Sequence, residues 1–84
     1  MQRIVREFSI SEIPIINMCY SNDGTRFFAS RVDGIVQIFD TQTGQELFSL
    51  PAHTGAVIGL AMDHDDKMLY TSGTDGELRV WSGK

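Results

Sequence analysis

The sequence predicts an all-β fold in which one antiparallel unit is used twice. Two observations carry this expectation. First, Thr71-Ser72-Gly73-Thr74-Asp75-Gly76-Glu77-Leu78-Arg79-Val80-Trp81 has a counterpart 42 positions earlier, Ala29-Ser30-Arg31-Val32-Asp33-Gly34-Ile35-Val36-Gln37-Ile38-Phe39. Second, each repeat is a series of short apolar runs separated by Asn, Asp and Gly, with no helical period competing.

The match at offset 42 extends across the repeat: Ile16 aligns with Ile58, Asp23 with Asp65, Met18 with Leu60 and Phe28 with Tyr70. Two such periods account for 84 residues, giving repeat 1 as 1–42 and repeat 2 as 43–84. Repeats of roughly 40–45 residues made of short β segments are the signature of propeller blades. The fold class is therefore all-β, with two four-stranded antiparallel blade units and strand exchange at the ends.

In order, Arg3–Phe8 and its counterpart Gln45–Leu50 read as short mixed strands. The loops Ser9–Pro14 and Pro51–Ala56 follow. Ile15–Tyr20 and Val57–Met62 are apolar at nearly every position, which predicts strands buried on both faces. Asn17, Cys19, Gly59 and Ala61 keep them slim, as an innermost strand requires. Asn22-Asp23-Gly24 and His64-Asp65-Asp66 supply residues that tolerate the left-handed conformation of a hairpin turn. Arg26–Ser30 and Met68–Ser72 return. The tight turns Asp33-Gly34 and Asp75-Gly76 then reverse the chain into Ile35–Phe39 and Glu77–Trp81. Thr43-Gly44 opens the next strand.

Composition bounds the function. The net charge of −4 argues against a general nucleic-acid binder, which needs a basic footprint. Scattered Lys and Arg give no block suited to an anionic membrane surface, and no segment has the length of a membrane span. The single cysteine, Cys19, precludes an intrachain disulfide and favours a reducing, cytoplasmic or nuclear setting. Residues Met1 to Glu12 lack the apolar stretch of a secretion signal.

The spacing Ala52-His53, Ser72-Gly73-Thr74-Asp75-Gly76, Trp81-Ser82 resembles the WD-repeat β-propeller family. Repeat 2 departs from the family pattern at Ala52, usually Gly, and Ser82, usually Asp; repeat 1 departs more. The resemblance implies that each repeat carries the outer strand of one blade and the three inner strands of the next. Arg3–Phe8 would then belong to a neighbouring blade, and the second blade would end at Trp81 without its outer strand. It also implies that His53, Thr71, Asp75 and Trp81 form a structural hydrogen-bond tetrad, with Ser72 as the alternative hydroxyl. Indole N–H, hydroxyl, imidazole and carboxylate can satisfy one another in series. In repeat 1 the matching residues are Ser11, Ala29, Asp33 and Phe39. The hydroxyl, the indole and the imidazole are lost together, and removing both ends of a buried hydrogen bond costs little.

A Ser–His–Asp nucleophilic triad is outweighed by that structural role, so no enzyme is expected. Asp63-His64-Asp65-Asp66 lacks the glycine and glutamate of a calcium loop and reads as a hairpin tip, so neither metal nor cofactor is expected. Cys19, matched by Ala61, reads as a small core residue. The resemblance implies a protein-interaction scaffold whose ring face would include Ser11, Glu12, Ile13, Arg31, Val32, Thr54, Gly55 and Thr74. Arg31 is either a contact residue there or a solvated loop charge. The alternative is a self-assembling unit that closes a ring from its own copies, most simply four, then three.

Overall fold

In the computed structural model, residues 12–82 are described. They form seven strands: β1 Ile15–Tyr20, β2 Arg26–Arg31, β3 Ile35–Asp40, β4 Glu46–Pro51, β5 Val57–Met62, β6 Met68–Gly73 and β7 Leu78–Ser82. Two antiparallel sheets result, one in the order β1-β2-β3-β4 and one in the order β5-β6-β7. The strand expected at Arg3–Phe8 lies outside the described residues. The expected strands otherwise appear, two with their expected bounds, two shifted one residue toward the C-terminus and three extended by one at that end. The expected division of a repeat is also present, because β4 from the start of repeat 2 completes the sheet of repeat 1.

The turns follow from local chemistry. Gly24 at φ 77° and Asp66 at φ 61° occupy the same place in the two hairpins, and Gly34 and Gly76 carry φ of 96° and 84° in the Asp-Gly turns. Glycine relieves the Cβ clash of this left-handed region, and aspartate is among the residues that tolerate it best. Both β1 and β5 also carry a register shift at their first residues, Ile15/Asn17 and Val57/Gly59, so the irregularity recurs with the repeat.

Period-two alternation assigns the faces. Phe28, Val36, Ile38 and Leu50 point from the first sheet toward the second, where Val57, Leu69, Leu60, Met62 and Trp81 meet them with Ala52. This inter-sheet layer is the main core. Phe27, Ala29 and Phe39 form a separate buried cluster on the opposite face, with the Phe27 and Phe39 rings stacked at a centroid distance of 5.0 Å. β1 and β5 lie side by side at one end of the pair.

One expectation is corrected. β5 is not buried on both faces, since Ile58 is 51% exposed, and neither is β1: Met18 is 53% and Tyr20 61% exposed. Its apolar side chains reach past the one sheet that packs beside it, and no described element covers the other flank. Met68, Tyr70, Leu78 and Val80, on the face of the second sheet turned away from the first, are likewise exposed.

Candidate functional site

The upper rim is built by the loops that precede β1 and β5 and by the Asp-Gly turns. In repeat 2, His53 enters from the loop and lies under the turn. Its Nδ1–H donates to the Asp75 carboxylate, 3.0 Å from each oxygen. Its Nε2 lies 2.8 Å from Thr71 Oγ1, and Trp81 Nε1–H donates to that same oxygen at 3.0 Å. An indole can only donate, so Thr71 Oγ1 accepts from Trp81; in the tautomer that places the ring proton on Nδ1, facing Asp75, Nε2 accepts the Thr71 hydroxyl and the series runs from Trp81 through Thr71 and His53 to Asp75. Thr71, not Ser72, supplies the hydroxyl, because strand alternation turns Thr71 to the inter-sheet side.

Two glycines make room for this network. A Cβ on Gly73 would stand 2.6 Å from His53 Cγ, and one on Gly34 would stand 2.0 Å from the His53 carbonyl oxygen. Gly34 is thus a docking point as well as a turn residue: its carbonyl accepts Ala52 N–H at 3.0 Å and His53 N–H at 3.1 Å. Asp75 also accepts the amides of Glu77 at 3.1 Å and Thr54 at 3.3 Å. Burial pushes its carboxyl pKa up, but these amides and His53 outweigh that and hold it below the ordinary value.

Repeat 1 solves the same problem differently. Arg31 stands where Gly73 stands in repeat 2, and its guanidinium clasps Asp33 through both Nε and Nη2. The Asp33 carboxyl is held below its usual range by that hydrogen bond first. Asp33 therefore does more than serve a turn, as its sequence setting suggested. An arginine from the strand end occupies the carboxylate that an imidazole occupies in repeat 2. Phe39 sits in the apolar Phe27–Ala29 cluster and needs no hydroxyl partner.

The described ring-face candidates fall on this same rim. Val32 N–H donates to Pro14 O at 3.1 Å, which brings Arg31 and Val32 against the loop that carries Glu12 and Ile13. Thr74 N–H donates to Ala56 O at 2.9 Å, and Ala56 N–H donates back to Thr74 Oγ1 at 3.0 Å. Thr54 and Thr74 are exposed and Gly55 is half-buried beside them. Ser11 lies outside the described residues. Thr71 Oγ1 is bonded on both sides in a residue 1% exposed, so no substrate reaches it as a nucleophile. Among the described residues no cluster of His, Cys, Asp and Glu is suited to hold a metal ion. Burial pushes the Cys19 thiol pKa up, away from reactivity.

The sequence reading missed the contacts at the opposite, lower rim. Asp66 Oδ1 accepts Asn22 N–H at 2.7 Å and Asn22 Nδ2–H at 2.9 Å, while Oδ2 accepts Asp23 N–H at 3.1 Å. Asn22 Nδ2 also donates to Asp63 O at 2.7 Å. The one available signal was that an acid stands at position 66 where repeat 1 has Gly24.

Comparison with known proteins agrees with this architecture. The model of the WD domain, G-beta repeat, matches residues 44–82. The WD repeat-containing protein 91 homolog of Dictyostelium discoideum is 30% identical over 76 residues, covering 90% of this chain and 10% of that protein. The COMPASS component SWD3 of Saccharomyces cerevisiae is 28% identical over 72 residues, covering 84% of this chain and 23% of that protein. The chain thus spans under a quarter of the length of either relative. Among solved structures, U3-55K superposes with a TM-score of 0.82 at 19% identity, covering 95% of this chain and 25% of that one. The computationally designed Ika8 protein superposes with a TM-score of 0.77 at 23% identity, covering 89% and 22%. With its repeat, its blade topology and these relatives, the chain belongs to the WD-repeat family of β-propellers.

Proposed function

We propose that this chain is a non-catalytic protein-interaction scaffold that offers partners its upper rim. The observation carrying this reading is that Glu12, Ile13, Arg31, Val32, Thr54, Gly55 and Thr74 share one rim, braced by the Pro14–Val32 and Ala56–Thr74 hydrogen bonds. A braced surface loses little entropy on binding, which favours recognition. Val32 is an exposed apolar side chain beside Arg31, a residue type enriched among contact anchors. The test is affinity capture from cell extract with the chain, with Val32→Asp and Thr54→Asp, and with Thr43→Asp at the lower rim. Partners lost with the two upper substitutions and retained with the lower one support the assignment. Equal capture by all four proteins counts against it.

A second reading rests on the open face of Met68, Tyr70, Leu78 and Val80 and on β7, which has no strand on its outer edge among the described residues. Copies joining head to tail would cover that face, and a strand laid along β7 would cover Phe48, exposed in the groove beside Trp81. Such a ring holds two blades per copy, with four copies favoured and three next. Native mass spectrometry decides: a closed, even-bladed oligomer supports self-assembly, and a folded monomer excludes it.

A further inference from the structure

At its lower rim the junction between the two blades is closed chiefly by one carboxylate, with the Asp63 carbonyl accepting a further bond from Asn22 Nδ2 at 2.7 Å. Asp66 takes three N–H donors from the preceding hairpin, the amides of Asn22 and Asp23 and the side chain of Asn22. It is placed to do so by its left-handed backbone, φ 61°, which turns the carboxylate out of its own hairpin and across to its neighbour. One blade thus offers donors and the next supplies the acceptor.

Continuing the repeat by 42 positions, His64 and Asp65 hold the donor places of Asn22 and Asp23 on the outer side of the second blade. Both residues are exposed, and no described residue accepts from their backbone amides. Beside them lies the open apolar face with Tyr70, Leu78 and Val80. Blade 1 of a second copy would bring Gly24 to the acceptor place, and glycine has no carboxylate to give.

We infer that the open face of the second blade, together with the His64 and Asp65 amides, is a docking surface for a blade whose hairpin carries a carboxylate at the position of Asp66. The inference rests on this face being a blade-to-blade junction, as in the second reading above. The occupant is a blade of the acidic-hairpin type. Blade 1 of a further copy is the poorer fit, because it would leave both amides without their acceptor. The existing junction between the two sheets supplies the geometry, and charge-assisted hydrogen bonds to carboxylate supply the selectivity.

The test supplies the missing acceptor to the chain itself. Gly24→Asp places a carboxylate on a backbone at φ 77°, and an added Cβ there meets nothing within 4 Å. Asp66 shows that the equivalent turn accepts aspartate. Self-association of the chain, of Gly24→Asp and of Gly24→Asn is measured by sedimentation velocity across a concentration series. The expected result is association about tenfold tighter for Gly24→Asp than for the parent chain, with Gly24→Asn between them, since an amide oxygen accepts less strongly than a carboxylate. Equal association of parent and Gly24→Asp overturns the inference, whether both are tight or both are monomeric. Leu78→Asp is added to each protein to separate the two claims. If it abolishes association while Gly24→Asp has changed nothing, the face is a junction and only the carboxylate rule falls. If association survives Leu78→Asp, the face is not the junction and both fall. Should Gly24→Asp fail to fold, by circular dichroism, the comparison rests on Gly24→Asn, and no gain over the parent chain then counts against the inference.

Discussion

Thr71 is the point at which the tetrad is most exposed to a single substitution. Its hydroxyl joins Trp81 Nε1, 3.0 Å away, to His53 Nε2, 2.8 Å away, in a residue 1% exposed. Thr71→Val keeps the shape and removes only the polar link. The indole N–H then has no acceptor and the imidazole has no donor. Each orphaned buried group costs about 1–3 kcal/mol, and the half-buried Trp81 recovers part of its share from water, so the expected loss is about 2–4 kcal/mol. Thr71→Ser restores the hydroxyl, loses one methyl group and costs about 1 kcal/mol. In repeat 1 the reverse change, Ala29→Thr, puts an unpartnered hydroxyl against Phe27 and Phe39 and yields no gain. Urea unfolding followed by Trp81 fluorescence, at one fixed protein concentration, measures all three. A loss below about 0.5 kcal/mol for Thr71→Val, or a gain for Ala29→Thr, would refute the hydrogen-bond account.

Other outcomes follow from the same geometry. Gly34→Ala combines a φ of 96° with a Cβ 2.0 Å from the His53 carbonyl oxygen, so it should cost about 3 kcal/mol or more, against about 1–2 kcal/mol for Gly76→Ser at the outer turn, which carries the strain of a φ of 84° but whose added Cβ meets nothing within 4 Å. Thermal melts of the two variants compare them, and equal losses would leave the docking role of Gly34 without support. Gly73→Ala should displace the His53 ring from under the turn, because its Cβ would stand 2.7 Å from Nδ1; the nuclear magnetic resonance shift of the Trp81 indole proton reports whether the network survives. Asp23 is held down to about 2, first by the Thr25 amide and then by the Ser21 and Thr25 hydroxyls, and the Thr43 and Gln42 amides hold Asp40 below its ordinary value. These depressed values contribute stability that is fully present above the unfolded value near about 4 and is lost as pH falls toward the folded values. The urea midpoint should therefore hold from about pH 7 to 5 and decline below about pH 4, with Asp23→Asn showing a shallower decline. A midpoint unchanged down to about pH 2 would contradict this.

Much of the fold is local, and the sequence alone determined it. Strand alternation and the left-handed turn residues depend on near neighbours and the 42-residue period on the chain's own repetition, so the strands are read directly, while the division into blades came from the family resemblance. The tetrad residues were legible through the family resemblance, which named His53, Thr71, Asp75 and Trp81 with Ser72 as the alternative hydroxyl. Which hydroxyl serves was decided by strand register, which turned Thr71 inward and Ser72 out. Arg31 could not be assigned from sequence, since a loop arginine is equally suited to solvent or to a partner. Only the fold brought its guanidinium onto Asp33, whereas Gly73, at the same place in repeat 2, leaves room for the His53 imidazole. Asp66 was hidden for a stronger reason. It read as one more acid on a solvated hairpin, and its partners, Asn22 and Asp23, lie more than forty positions away. Contacts between repeats depend on how one sheet is rotated and spaced against the next. That relation follows from packing Phe28, Val36 and Ile38 on Leu69 and Trp81, and no local pattern encodes it.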